Sequence, residues 1–147
     1  MTDLRRDLNA TIAHIVGQGA IASAMGCEIK LAVDLHPSGE FFEGNCWVRN
    51  PAGELSEHLR RPLGLAGCLS SLAFLRGSPS EVEAAEVFDK LKSGEIALSP
   101  ADAEMAEGFS LADVEFALNV LRANWQTVAG EVEQMSPEIM PDVNRFH

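Results

Sequence analysis

Tyrosine is absent from this 147-residue chain, so phenylalanine and tryptophan supply all of its aromatic surface. That removes the commonest phenolic proton donor from any catalytic scheme. Cysteine is scarce: Cys27, Cys46 and Cys68 stand in apolar contexts, with no C-x-x-C pair and no closely spaced histidine. An odd set of this kind excludes a disulfide framework and reads as buried thiols in a reducing compartment. Long apolar runs are missing too. The longest, around Leu63 to Leu75, is interrupted by Gly64, Gly67, Ser70 and Ser71. Nothing reaches the roughly 18 residues of a membrane span. Met1 to Asp7 carries charges of both signs ahead of an amphipathic stretch. No secretory signal is expected there, and the chain is read as cytoplasmic.

Basic residues are the remaining shortage: Lys and Arg number 11 against 22 Asp and Glu, a net charge of −11. The imbalance is uneven. Residues 1–76 hold eight acids and seven bases, whereas 77–147 hold fourteen acids and four bases. Such a field repels nucleic acid and anionic lipid and attracts basic partners, with strong salt dependence.

What is present suffices for a core. Hydrophobic residues make up 46% of a chain whose length suits one domain, 1–147. Leu4, Leu8, Ile12, Ile15 and Val16 recur at helical spacing over residues 3–16, with Thr2 or Asp3 placed to cap them. Gly17 and Gly19 are expected to loosen that helix, with a further turn or two from Ala20 to Met25. Residues 27–35 alternate strictly, and 41–49 resume an extended pattern after the turn His36-Pro37-Ser38-Gly39-Glu40. They predict an antiparallel hairpin, which helices must cover. Pro62 to Arg76 has almost no polar face and predicts a buried central helix, with Gly64 and Gly67 allowing close backbone approach.

Three helix starts follow. Ser80-Glu81-Val82-Glu83 forms the pattern of a capping box, before a helix closing at Lys90, Lys92 and Gly94. Ser99-Pro100-Ala101-Asp102 opens a short helix that Gly108 ends, and Ser110-Leu111-Ala112-Asp113 opens a long one over about 111–134. Leu111, Val114, Leu118, Leu121, Trp125, Val128, Val132 and Met135 alternate steps of three and four along the long helix. That seam predicts either self-association through Leu111, Val114, Leu118, Leu121, Trp125 and Val128 in a homodimer, or a long core helix within one subunit. The fold class is α+β: a small antiparallel sheet covered by helices, with a mostly helical C-terminal half.

Motifs with chemistry attached are weak. Val16 to Ala22 looks like a dinucleotide-binding glycine turn, with Asp34 placed as a ribose-binding acid. Only Ala20 to Met25 separate it from Gly26, too few for a crossover helix. Pro100 to Leu121 looks like a helix-turn-helix, yet Asp113 and Glu115 stand where phosphate contacts need Arg or Lys. Direct nucleic-acid binding is therefore not expected. His36, Cys46 and His58 match no metal spacing, and neither metal nor cofactor is expected. Cys68 beside Ser70 and Ser71 lacks a nucleophile elbow and a nearby His. His14, on a helix among apolar neighbours, reads as a surface or partly buried imidazole without a role.

Ten acids between Glu81 and Glu115 face only Lys90 and Lys92. The sequence therefore predicts a non-catalytic acidic interaction module, such as an adaptor, chaperone-like protein or inhibitor. It would dock a basic partner, a nucleic-acid-binding protein among the options, through Glu81, Glu83, Glu86, Glu104, Glu107, Asp113 and Glu115. One alternative is a small enzyme or ligand-binding protein with a site assembled from sequence-distant residues, around His36, Trp47, His58 and the Gly17 to Gly26 turn. Another is a subunit of a larger, even viral, assembly.

Overall fold

Strict alternation puts the branched residues of β1 (Glu28–Leu35) on one face, and β1 pairs antiparallel with β2 (Phe42–Arg49). The register sets Glu28 opposite Arg49 and Leu35 opposite Phe42, so Ile29, Leu31 and Val33 share a face with Val48, Cys46 and Gly44. Helix α1 (Leu4–Ala24) lies on that face. Gly44 makes the approach possible, because a Cβ there would stand 2.7 Å from Ile15 and 2.9 Å from Thr11. The other face of the ribbon is open to solvent. It carries Trp47, 53% exposed, with Lys30 above its ring and an ion pair between Arg49 and Glu28.

The chain continues through α2 (Glu57–Arg76), a 3-10 turn (Pro79–Glu81), α3 (Ala84–Ser93), α4 (Pro100–Met105) and α5 (Leu111–Ile139). The computed structural model describes residues 4–139. The caps expected from Thr2 or Asp3 lie outside them. Two apolar clusters hold the helices. One gathers Leu63, Leu65 and Leu69 of α2 with Ile21, Val87, Val114, Leu118 and Leu121. The other gathers Leu8, Ile12, Ile15 and Val16 of α1 with Phe42, Val128 and Val132. Trp125 of α5 packs against both. Among the described residues no helix is long and apolar enough to cross a membrane. The α+β class is as the residue pattern implied.

Four boundaries differ from the sequence reading, each for a local reason. Helix α1 runs unbroken through Gly17 and Gly19, because both glycines are contact points. A Cβ on Gly17 would strike Ser70 of α2 at 2.2 Å, and one on Gly19 would strike Ile29 at 2.7 Å. Helix α2 begins at Glu57, so Pro62 lies inside it; the Arg61–Glu57 ion pair at 3.5 Å supports the added first turn. The expected capping box at Ser80 does not form. Pro79 opens a 3-10 turn capped by Ser78, whose hydroxyl accepts from the Ser80 amide, and α3 starts only at Ala84. Helix α5 extends to Ile139, past the expected end near 134. Its start is the full capping box that Ser80 lacks: the Ser110 amide donates to Asp113 Oδ2 at 2.9 Å, and the Asp113 amide to Ser110 Oγ at 3.4 Å.

Candidate functional site

Helix α1 presents His14 and Gln18 one turn apart on a single face. Opposite them stands Asp102, near the N-terminus of α4, where the Ser99 hydroxyl already accepts from its amide at 3.2 Å. The carboxylate is therefore not needed for capping and turns inward, its side chain only 9% exposed. Both oxygens are held from α1. Gln18 Nε2 donates to Oδ1 at 3.1 Å, and His14 Nε2 lies 3.2 Å from Oδ2. A buried carboxylate is costly unless its lone pairs are satisfied, so these two contacts are what allow it inside.

Glycines on α2 admit the assembly. A Cβ on Gly67 would stand 2.2 Å from His14 Nε2, so only glycine lets the imidazole lie against this helix. Gly64 does the same for α4, where a Cβ would meet the Ala106 amide and the Asp102 carbonyl at 2.6 Å. The far end of α4 is clamped by the same helix. Arg60 donates to the Glu104 and Met105 carbonyls at 2.9 and 3.2 Å, and Arg61 to the Glu107 carbonyl at 3.1 Å. These guanidinium groups lie at the C-terminal end of α4 and the turn beyond it, where positive charge is favourable.

Two thiols lie within the electrostatic reach of this carboxylate. Burial first, and then the negative charge of Asp102, push Cys46 and Cys68 up to about 11. The shift favours the protonated thiol at both positions. Two adjoining clefts of about 340 and 210 Å³ share His14, Ser71 and Ser99. The first is completed by Thr11, Ile15, Phe42 and Gly44, the second by Cys68, Leu72, Leu75 and Leu98. Among the described residues, no group of three His, Cys, Asp or Glu side chains is arranged to hold a metal ion.

The ten acids from Glu81 to Glu115 divide into three kinds. Asp102 is internal. Glu86 is held by Arg76 at 3.2 Å and Lys90 at 3.7 Å, Glu95 by Lys90 at 3.5 Å, and Asp113 is engaged in its cap. Glu81, Glu83, Asp89, Glu104, Glu107 and Glu115 are exposed, and none of them has an ion pair among the described residues. Two further bases of this half among the described residues turn elsewhere: Lys92 stacks over the Phe109 ring at 4.0 Å, and Arg122 donates to the Val82 carbonyl at 3.1 Å.

The seam of α5 is filled from within the chain. Val114, Leu118, Leu121 and Val128 are all at most 1% exposed, packed into the clusters built by α1 and α2, and Trp125 is partly buried between them. Their regular spacing is thus accounted for without a second copy. Leu111 alone of the six lies at the surface, 36% exposed.

The residues of the assembled-site alternative are not gathered together. His36 is occupied at the hairpin turn, stacked on Phe41 at 4.2 Å and bonded to Ser38 at 2.9 Å. Trp47 is on the solvent face, and His58 is exposed at the start of α2. The chain matches no model of a known protein family and no curated protein.

Proposed function

We propose that this chain is a non-catalytic interaction module, an adaptor, chaperone-like protein or inhibitor, whose acidic helical half docks a basic partner. The supporting observation is the set of six exposed carboxylates, Glu81, Glu83, Asp89, Glu104, Glu107 and Glu115, that make no ion pair among the described residues. Unpaired surface charge costs little to hold and acts at a distance. It accelerates encounter with an oppositely charged surface and is screened within about 8 Å at physiological ionic strength. A DNA-binding protein suits the partner chemistry, because its phosphate-binding surface is a dense array of Lys and Arg. Within the same proposal, the module acts in the cytoplasm. A homodimer would have to form through exposed groups such as Leu111 and Phe116, since the α5 seam is already covered.

The structure also refines the variant that tests this reading. Glu86 is already paired with Arg76 and Lys90, so reversing it would not report on an unpaired charge. Replacing Glu81, Glu83, Glu104 and Glu107 by Lys changes only groups that make no ion pair among the described residues. Affinity capture from native lysate should retain a basic protein at low salt, release it at high salt, and lose it in the fourfold variant. Capture that survives both salt and charge reversal would refute the proposal.

A further inference from the structure

Why a carboxylate should be buried between α1 and α4 is not answered by folding alone, since Ser99 already caps α4 and Arg60 and Arg61 already clamp its other end. What the carboxylate does is fix an imidazole. With Asp102 Oδ2 at Nε2 and Gly67 beneath the same edge of the ring, Nδ1 is the nitrogen left over. It has no partner among the described residues, and His14 lines both adjoining clefts while keeping about a third of its side chain exposed. In the neutral ring with its proton on Nε2, Nδ1 is an acceptor.

The other polar groups around it have the same character. Ser71 donates its proton to the Ala10 carbonyl at 3.2 Å, which leaves its oxygen to accept. Ser99 Oγ keeps a lone pair after accepting from the Asp102 amide. No lysine or arginine lines either cleft. Asp102 stands in the wall of one, and Asp7, whose carboxylate accepts from the Phe42 amide at 2.7 Å, stands beside a residue lining the other. Convergent acceptors in a negative field ask for a ligand that brings several donors and a positive charge. Leu72, Leu75 and Leu98 supply an apolar wall next to them.

We propose that the paired clefts at His14 form a binding site for a primary aliphatic ammonium group, whose three N–H donors meet His14 Nδ1, Ser71 Oγ and Ser99 Oγ while its alkyl chain lies along Leu72, Leu75 and Leu98. The size suits a short amine or the side chain of a lysine. The site is independent of the exposed carboxylates, so charge reversal at Glu104 and Glu107 should leave it intact.

The test is nitrogen NMR of the His14 ring in the full chain, titrated with n-butylamine, n-butanol and butyrate. The amine should shift Nδ1 saturably at millimolar concentration, with the alcohol and the acid giving no saturable shift. Leu98→Trp, which fills the apolar wall, should abolish the shift, and Ser71→Ala should weaken binding roughly tenfold while leaving the Gln18 and Asp102 contacts in place. No saturable shift with the amine, an equal shift with butyrate, or a shift unchanged in both variants would overturn the assignment. A blocked lysine tripeptide distinguishes the source. Binding as tight as butylamine identifies a protein side chain, and binding of butylamine alone identifies a free amine.

Discussion

Helix α4 and the turn that follows it carry two populations of carboxylate between Asp102 and Glu107, and they behave oppositely. Asp102 points inward, is gripped by His14 and Gln18, and ties α4 to α1. Glu104 and Glu107 are exposed and make no ion pair among the described residues, although the Arg60 and Arg61 side chains reach their own backbone carbonyls. These two arginines thus reach the backbone of the segment rather than its exposed carboxylates. Net charge by itself says nothing of this division. What decides it is whether a neighbouring element offers donors to the carboxylate itself, as α1 does for Asp102.

The largest effect should come from the packed region. Leu118→Ala should cost about 2 to 5 kcal/mol in urea denaturation, because the side chain is fully buried between helices that cannot readily collapse onto the gap. If the seam were intermolecular instead, the loss would depend on protein concentration, and light scattering would show a change of mass. Next comes the inward carboxylate. Asp102→Ala strands Gln18 and the His14 ring and should cost about 2 kcal/mol, against about 0.5 kcal/mol or less for Glu104→Ala. Equal losses at the two positions would erase the contrast.

A pH scan sharpens the same boundary from the side of the thiols. Cys46 and Cys68 are raised in the folded chain to about 11 from an ordinary value of 9.0, by burial first and then by Asp102. The unfolded chain therefore loses these protons first. Stability contributed by the protonated thiols is complete below pH 9 and should decline as the pH rises from about 9 to about 11. Asp102→Asn should lower both thiols somewhat, seen as faster alkylation by an uncharged reagent at a fixed alkaline pH. Because burial is the larger cause, that change should be modest. The smallest effect on stability belongs to the outer groups: Glu81, Glu83, Glu104 and Glu107 changed together to Lys should leave the melting temperature within a few degrees of the parent.

Much of the architecture could be read from the residues. Period-two alternation located both strands to within a residue, Gly64 and Gly67 announced close helix contacts, and Ser99 and Ser110 marked helix starts, because each of these is a local rule. Gly17 and Gly19 misled for the complementary reason. A glycine that serves a neighbouring element, here Ser70 or Ile29, looks in sequence like one that breaks its own helix. The α5 heptads were ambiguous between partners until α1 and α2 were in place. His14 and Asp102 are 88 positions apart, so nothing local joins them. The one clue was an S-x-x-D start whose acid sits among apolar positions, and that clue could not be told from an exposed cap.

The division between inward and outward carboxylates is tested most directly by crossing two variants with two readouts. Asp102→Asn and the double change Glu104→Gln with Glu107→Gln are each measured for unfolding free energy and for salt-sensitive capture of the basic partner. The account predicts that Asp102→Asn lowers stability and keeps capture, whereas the double variant keeps stability and weakens capture. A double variant that binds undiminished, or that unfolds as readily as Asp102→Asn, would contradict it.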